Sequence, residues 1–526
     1  MAASMKVIGR KIHKPVLSTI CQHSRFSTHN ILNKGAVLGV YQAKEKDGDL
    51  ILDKSTQFFD DKSSKKISGL LKVVSRDLKK GGCRVLYDVV PGYESVALCC
   101  IGEKGASFNE AEGFDEGSEN IRAAVASGVK TLRSIGETEV DVDPCGNAEA
   151  AAEGGYLSLF EYDELKDKTK RKKAVKLSCL VDHITASSSA KKSWTRGRIK
   201  AEGQNWARHL MEMPSNKLTP ALFVEAVQQK FANRSNVTIH VRDKSWIQSE
   251  KMEAFLAVSQ GSSEAPYFLH IEYKHPDNKM SSPVAVVGKG VTFDTGGISI
   301  KPAASMDQMR ADMGGAACTV GTLYSVDRLD LPVHVHAFIP LCENMPGGRA
   351  IKPGDVVTAR NGKTIQIDNT DAEGRLILAD ALNYAETVNP QVILDMATLT
   401  GAIDVALGSG AAGVYATSTD TWNILQKAGA NTGDRVWRMP LFNHYTKQVT
   451  DCKLADVNNI GKHSRSGGSC TAAAFLKEFV TNKNWMHLDI AGVMSNKDEV
   501  PYLNSGMAGR PTRTIVEFIE MLSKAE

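Results

Sequence analysis

At 526 residues, 42% of them hydrophobic and 24% charged, the chain exceeds one ordinary domain and carries enough apolar sequence for two or three cores. A formal net charge of +4 over that length gives no basic footprint for nucleic acid or an anionic membrane surface. No apolar run is long enough to span a bilayer. The ten cysteines, none in a CxxC, fit reduced core thiols of an intracellular protein rather than a disulfide framework or a zinc-thiolate site.

Residues 1–30 differ from the rest. They hold Lys6, Arg10, Lys11, Lys14 and Arg25 and no acidic residue; the first is Glu45. With no continuous apolar segment, this composition predicts a mitochondrial transit peptide, processed near Arg25-Phe26-Ser27, and a matrix location rather than a cytoplasmic one. The competing reading is a basic tail on a cytosolic protein.

Residues 31–185 alternate strand and helix patterns. Val85–Val90 and Ser95–Ile101 read as buried strands, and Glu119–Ile135 as a helix with Ile121, Ala124, Val125, Val129 and Leu132 on one face. Residues 186–212 read as a charged connecting helix, stopped at Met213-Pro214-Ser215-Asn216. In residues 213–526, strands are expected at Val284–Gly288, Val333–Phe338, Ile365–Ile367, Val392–Asp395 and His487–Ile490. Helices are expected at Gly315–Val326, Gly374–Val388, Ser469–Val480 and Arg513–Leu522. The predicted fold is α/β in two domains: a smaller N-terminal α/β domain and a larger C-terminal catalytic one with a central, mainly parallel sheet flanked by helices. Functional residues in such sheets gather beyond the carboxyl ends of the strands.

Three segments of the second half could carry chemistry. Val284–Lys301 runs from a strand into a Gly-rich loop bearing Lys289, Asp294 and Lys301, yet it matches neither Gly-x-x-x-x-Gly-Lys-Ser/Thr nor Gly-x-Gly-x-x-Gly, which excludes a phosphate cradle. Asp312 precedes Gly314-Gly315 and a helical run; taken alone, it reads as a helix N-cap. Asp371 and Glu373 lie two residues apart on a turn, a juxtaposition that is unfavourable unless a cation holds it; a solvated turn is the bland alternative. Four carboxylates without a His or Cys cluster suit Mg²⁺, Mn²⁺ or Zn²⁺, and suffice for two ions with bridging carboxylates. His334, His336 and His487 fall in strand runs and read as satisfied core or surface histidines.

The octet Asn369-Thr370-Asp371-Ala372-Glu373-Gly374-Arg375-Leu376, with VGKGVTFDTGGISIKP upstream and MRADMGGAA between, closely resembles the leucine aminopeptidase (cytosol aminopeptidase) family. The resemblance covers essentially the whole second half. It implies that Lys289, Asp294, Asp312 and Glu373 hold one divalent ion (Zn²⁺, Mn²⁺ or Mg²⁺), and that Asp294, Asp371 and Glu373 hold a second. Lys301 and Arg375 would be catalytic, Lys301 stabilising the oxyanion and Arg375 holding a bicarbonate that serves as base. Lys289 would have to be a neutral amine. Substrate contacts would come from Lys289, Asp294, Lys301, Asp312, Asn369 and Asp371. Met309, Thr398, Gly401, Ala491 and Met494 would line the pocket for the first side chain, an apolar wall suited to Leu-like residues. Asn369 equally fits a plain turn preference.

The expectation is therefore a metal-dependent aminopeptidase acting on peptides. The resemblance implies a homohexamer; neither nucleic acid nor membrane is an expected partner. The rivals are a Cys-Gly dipeptidase of glutathione breakdown and a structural or storage hexamer. The latter would be signalled by a lost metal ligand, and none is lost.

Overall fold

Short apolar strands gather into two separate sheets in the computed structural model, which describes residues 34–42, 50–74, 78–180, 188–463 and 466–525. The expected transit segment lies outside the described residues. The first sheet is built from β1 (Lys34–Gln42), β2 (Cys83–Tyr87), β3 (Ser95–Glu103), β4 (Glu139–Val142) and β5 (Lys176–Cys179), in the order β2-β3-β1-β4-β5, with Ile51–Leu52 added beside β1. β1 runs parallel to β3 and β4, and β2 is antiparallel at the edge. β3 is buried along all but its last residue, which explains its unbroken apolar sequence. The strand expected to reach Val90 stops at Tyr87, where Asp88 takes φ of 55°.

Helix α1 (Glu116–Ser134) begins where Asp115 accepts a hydrogen bond from the Ser118 backbone N–H. Its Ile121, Ala124, Val125, Val129 and Leu132 pack on the first sheet. Helix α2 (Ala148–Ser158) follows, and the long α3 (Ser188–Glu212) leads into the second half.

The second sheet has nine strands among the described residues. They are β6 (Val237–Arg242), β7 (Tyr267–Lys274), β8 (Val284–Gly288), β9 (Gly290–Asp294), β10 (His334–Asn344), β11 (Val392–Ala397), β12 (Ala412–Ala416), β13 (Val436–Arg438) and β14 (Trp485–Asp489). The order is β13-β12-β14-β11-β8-β10-β7-β6, with β9 beside the end of β10. The centre, β14-β11-β8-β10, is parallel; β7, β6 and β12 join antiparallel.

Successive side chains of the central strands enter opposite cores. Val286 and Leu394 face one layer, with Ile515 and Ile519 of α6 (Thr512–Ala525) and Val320 of α4 (Gly314–Arg328). Val287 and Ile393 face the other, with Leu378 and Leu382 of α5 (Gly374–Ala385). The two halves meet at a buried charge cluster. Glu153 of α2 accepts hydrogen bonds from Arg122 Nε of α1 at 2.6 Å and from Arg513 Nη1 of α6 at 2.8 Å.

Candidate metal centre

Parallel strands deliver their carboxyl ends to one edge of the sheet, and the candidate residues follow those ends. Lys289 comes directly after β8, and Asp294 closes β9. Asp312 lies two residues before the start of α4. Asp371 and Glu373 lie on the turn before α5. α4 can sit this close only because Gly315 has no side chain: a Cβ there would lie 1.9 Å from the Met396 carbonyl oxygen. Asp312 does not cap α4; its Oδ1 instead accepts from Lys289 Nζ at 2.8 Å and from Thr398 Oγ1 at 2.9 Å.

Lys289 Nζ also lies 2.8 Å from Glu373 Oε1 and donates to the Thr398 carbonyl at 2.9 Å. Lys301 Nζ lies 2.7 Å from Asp294 Oδ2 and 2.5 Å from Asp371 Oδ1. One carboxylate oxygen each of Asp294, Asp371 and Glu373 falls within 4.8 Å of the others. Four carboxylates thus face two lysines, leaving two formal negative charges uncompensated.

Burial and mutual repulsion act on this group together. Burial, then Glu373, pushes Asp294 up to about 6. Burial likewise raises Asp312 and Asp371, against the pull of the lysines. Glu373 goes the other way: burial opposes its charge, but Lys289 and Lys301 hold it ionised. Burial disfavours the ammonium of Lys289, yet Asp312, Glu373 and Asp294 outweigh it and raise its pKa. Some acceptors stay unanswered. Asp312 Oδ2 and Glu373 Oε2 are buried without a hydrogen bond. Asp371 Oδ1, by contrast, has the Lys301 ammonium 2.5 Å away.

The turn is held by groups that carried no sequence signal. Asn459 Oδ1 accepts from the backbone of Asp368 at 2.9 Å, and its Nδ2 donates to the Asn369 carbonyl at 2.6 Å. Asn344 Nδ2 donates to Asp294 Oδ1 at 2.8 Å and to the Thr370 carbonyl at 3.1 Å. Thr370 Oγ1 donates to the Gly296 carbonyl at 2.6 Å. Asn369 Oδ1 accepts from the Asp371 backbone at 2.9 Å, an Asx turn that aims the Asp371 carboxylate.

A cavity of about 590 Å³ opens over the cluster. Lys289, Asp294, Lys301, Asp312, Asp371 and Glu373 form its polar part. Met309, Thr398, Gly401, Ala491 and Met494 all reach its wall, as do Asp404 and Lys497, which sequence reasoning missed. Asn369 and Arg375 stand behind the wall. Arg375 Nη1 donates to the Asn459 carbonyl at 2.8 Å, while its Nε is buried without a partner. Burial lowers Arg375 to about 10, against the attraction of Glu373, Asp489 and Asp371.

Profiles of two parts of one family match the chain: "cytosol aminopeptidase family, catalytic domain" over residues 205–516, and its N-terminal domain over residues 37–169. The cytosol aminopeptidase of Sus scrofa is 54% identical over 94% of this chain and 93% of its own length. That of Dictyostelium discoideum is 43% identical over 95% of both chains. Among solved structures, the bottromycin maturation enzyme BotP in complex with Mn superposes with a TM-score of 0.78 at 28% identity, covering 94% of this chain and all of its own.

Proposed function

The chain belongs to the cytosol aminopeptidase family and is a metal-dependent aminopeptidase; on that premise we propose that its divalent ions bind at Lys289, Asp294, Asp312, Asp371 and Glu373. The observation that carries this is the pair of buried carboxylate oxygens, Asp312 Oδ2 and Glu373 Oε2, that lack hydrogen-bond donors in a cluster with uncompensated negative charge. Such acceptors are costly unless cations answer them. The surrounding carboxylates alone favour the Lys289 ammonium, so a neutral, ligating amine there requires the positive charge that two ions add. The ions are Zn²⁺, Mn²⁺ or Mg²⁺, all suited to oxygen and amine donors; the BotP structure holds Mn.

When bound, two such ions supply an acidified water and polarise the scissile carbonyl. The chain's own residues do the rest. Asp294 and Glu373 would contribute ligand oxygens to both ions. Lys301, partly buried at the cavity with Asp294 and Asp371 beside it, donates to the carbonyl oxygen as negative charge develops. Arg375, whose Nε is unpartnered, would hold a small anion there, and bicarbonate, which would supply a base, is the occupant we assign. Met309, Thr398, Gly401, Ala491 and Met494 receive a Leu-like first side chain. Asn369 positions the turn rather than touching substrate.

The same reading places an N-terminal domain at residues 31–185, a connecting helix at 186–212 and the catalytic domain at 213–526. It also carries a homohexamer, and mitochondrial import on the basic, acid-free composition of residues 1–30.

Asp371→Ala and Glu373→Ala test the assignment. Each should lose bound metal, read by mass spectrometry of the purified enzyme, and at least about a thousandfold in kcat/KM on Leu-p-nitroanilide. Parental turnover in either variant rules the site out. Faster turnover of Cys-Gly than of Leu-peptides would replace the Leu-like substrate with the dipeptide.

A further inference from the structure

A second group of metal-ligating side chains lies on the outer part of the same sheet. Across β7 and β10, Glu272 stands opposite His336 and Lys274 opposite His334, while His270 stands between His240 of β6 and Phe338. His334 Nε2 lies 2.8 Å from Glu272 Oε1, and His336 Nε2 lies 3.9 Å from the same oxygen. The two rings have centroids 4.7 Å apart. One ligand atom each of Glu272, His334 and His336 falls within 4.8 Å of the others.

We propose that Glu272, His334 and His336 form a further metal site, separate from the peptidase centre, which takes one zinc-class divalent cation through two imidazoles and a carboxylate. Imidazole with carboxylate is the donor set that Zn²⁺ and its borderline neighbours prefer. Zinc bonds of about 2.0–2.1 Å put ligand atoms roughly 3.4 Å apart in a tetrahedron, and the two imidazole nitrogens at 2.8 and 3.9 Å from Glu272 Oε1 bracket that spacing. Two observations show that His336 is already aimed. Its Nδ1 is 2.9 Å from His270 Nε2, an outer partner that holds the ring with Nε2 toward Glu272. Its ring stacks on Phe338 at 6.1 Å and 11°.

An ion pair accounts for His334 with Glu272; what makes the group a donor set is that the second imidazole, His336, also turns its Nε2 toward the same oxygen. Side-chain exposures of 17% for His334 and 30% for Glu272 leave one side of the site open to water, so an ion can enter. The site is remote from catalysis. β10 carries Asn344 at the peptidase end, and His336 lies eight residues earlier on the strand, roughly 26 Å away. A cation there would cross-link β10 to β7, just inside the edge strand of the sheet.

The test is calorimetric titration of Zn²⁺ into the full chain after its tightly held metal complement has been filled, with His334→Gln and Glu272→Gln alongside. The parent should bind one further zinc per chain, and both variants should lose it. His270→Ala should weaken it by about 10- to 100-fold, the usual cost of removing an outer partner. Both ligand variants alter part-exposed side chains, so hydrolysis of Leu-p-nitroanilide at the parental rate reports that each is folded. Equal zinc uptake by the parent and both variants overturns the proposal, and so does zinc binding in the parent that stops at the peptidase complement.

Discussion

Lys289 passes directly beneath Gly374: a Cβ at residue 374 would sit 2.6 Å from Lys289 Cε and 2.7 Å from its Nζ. Contacts that short do not occur, so even one methyl group must push the lysine away from Asp312 and Glu373. Gly374→Ala should therefore reduce kcat/KM by about a hundredfold, the scale associated with a misplacement of one ångström. Overpacking should also cost about 1–3 kcal/mol of stability. Steady-state kinetics with a melting curve checks both. Activity within twofold of the parent would mean that Lys289 is not placed by this contact.

Asn459 is a positioning residue. Asn459→Ala removes the acceptor for the Asp368 backbone and the donor to the Asn369 carbonyl. Each buried group left unanswered costs about 1–3 kcal/mol, so the melting temperature should fall clearly. Metal affinity should fall with it, because Asp371 rides on that turn. Metal retained as tightly as in the parent during dialysis against a chelator would refute the second half of this prediction.

For Arg375, the unpartnered Nε predicts a selective defect. Arg375→Ala should lower kcat by about a hundred- to ten-thousandfold, the range of general-base effects, while leaving metal content unchanged. Added bicarbonate should stimulate the bicarbonate-depleted parent and leave the variant unmoved. A variant that responds to bicarbonate as the parent does would exclude this arginine as the holder of the anion.

His487 offers a test by pH. It is fully buried, with Nδ1 2.5 Å from Asp395 Oδ1, while Trp485 Nε1 donates to the other Asp395 oxygen at 2.8 Å. Burial opposes its charge, but Asp395 outweighs that and raises its pKa. A raised histidine binds its proton more tightly when folded. Its contribution is therefore complete below the unfolded value of about 6.5 and is lost as pH rises through the higher folded value. Each unit of upward shift corresponds to about 1.4 kcal/mol. Urea midpoints should fall between pH 6.5 and 9 in the parent, and less steeply in His487→Gln. Parallel slopes would mean that another group dominates.

Much of the site is legible in the sequence because glycine and charge punctuate it. Val284–Gly288 is a strand with the expected ends, and Gly374 opens its helix as expected. The segment after Gly288 reads as a Gly-rich loop, yet Gly290–Asp294 is a strand beside Leu341–Asn344; burial on both sides erases the alternation that would mark it. Asn344 and Asn459 are invisible for a different reason. Their partners are backbone groups and carboxylates 26 to 91 residues away, and such pairing leaves no local pattern. His334 and His336 look like strand filler until the register of β7 sets Glu272 opposite His336 and next to His334.

Glu153 answers Arg122 and Arg513 from opposite sides of the junction, and these three side chains are at most 4% exposed. Neither half is then a portable part. A gene fragment encoding residues 186–526 alone would take Glu153 from the buried Arg513 guanidinium and leave it only Gln204, Tyr502 and the more distant Asp434, and breaking a buried pair costs up to about 3–5 kcal/mol. Expressed by itself, such a fragment should be recovered as aggregate, and supplying residues 31–185 as a second polypeptide should return it to solution. A soluble, active fragment would show that the junction tolerates the loss. Recombination that shuffles catalytic halves between relatives would have to carry the glutamate along with its arginines.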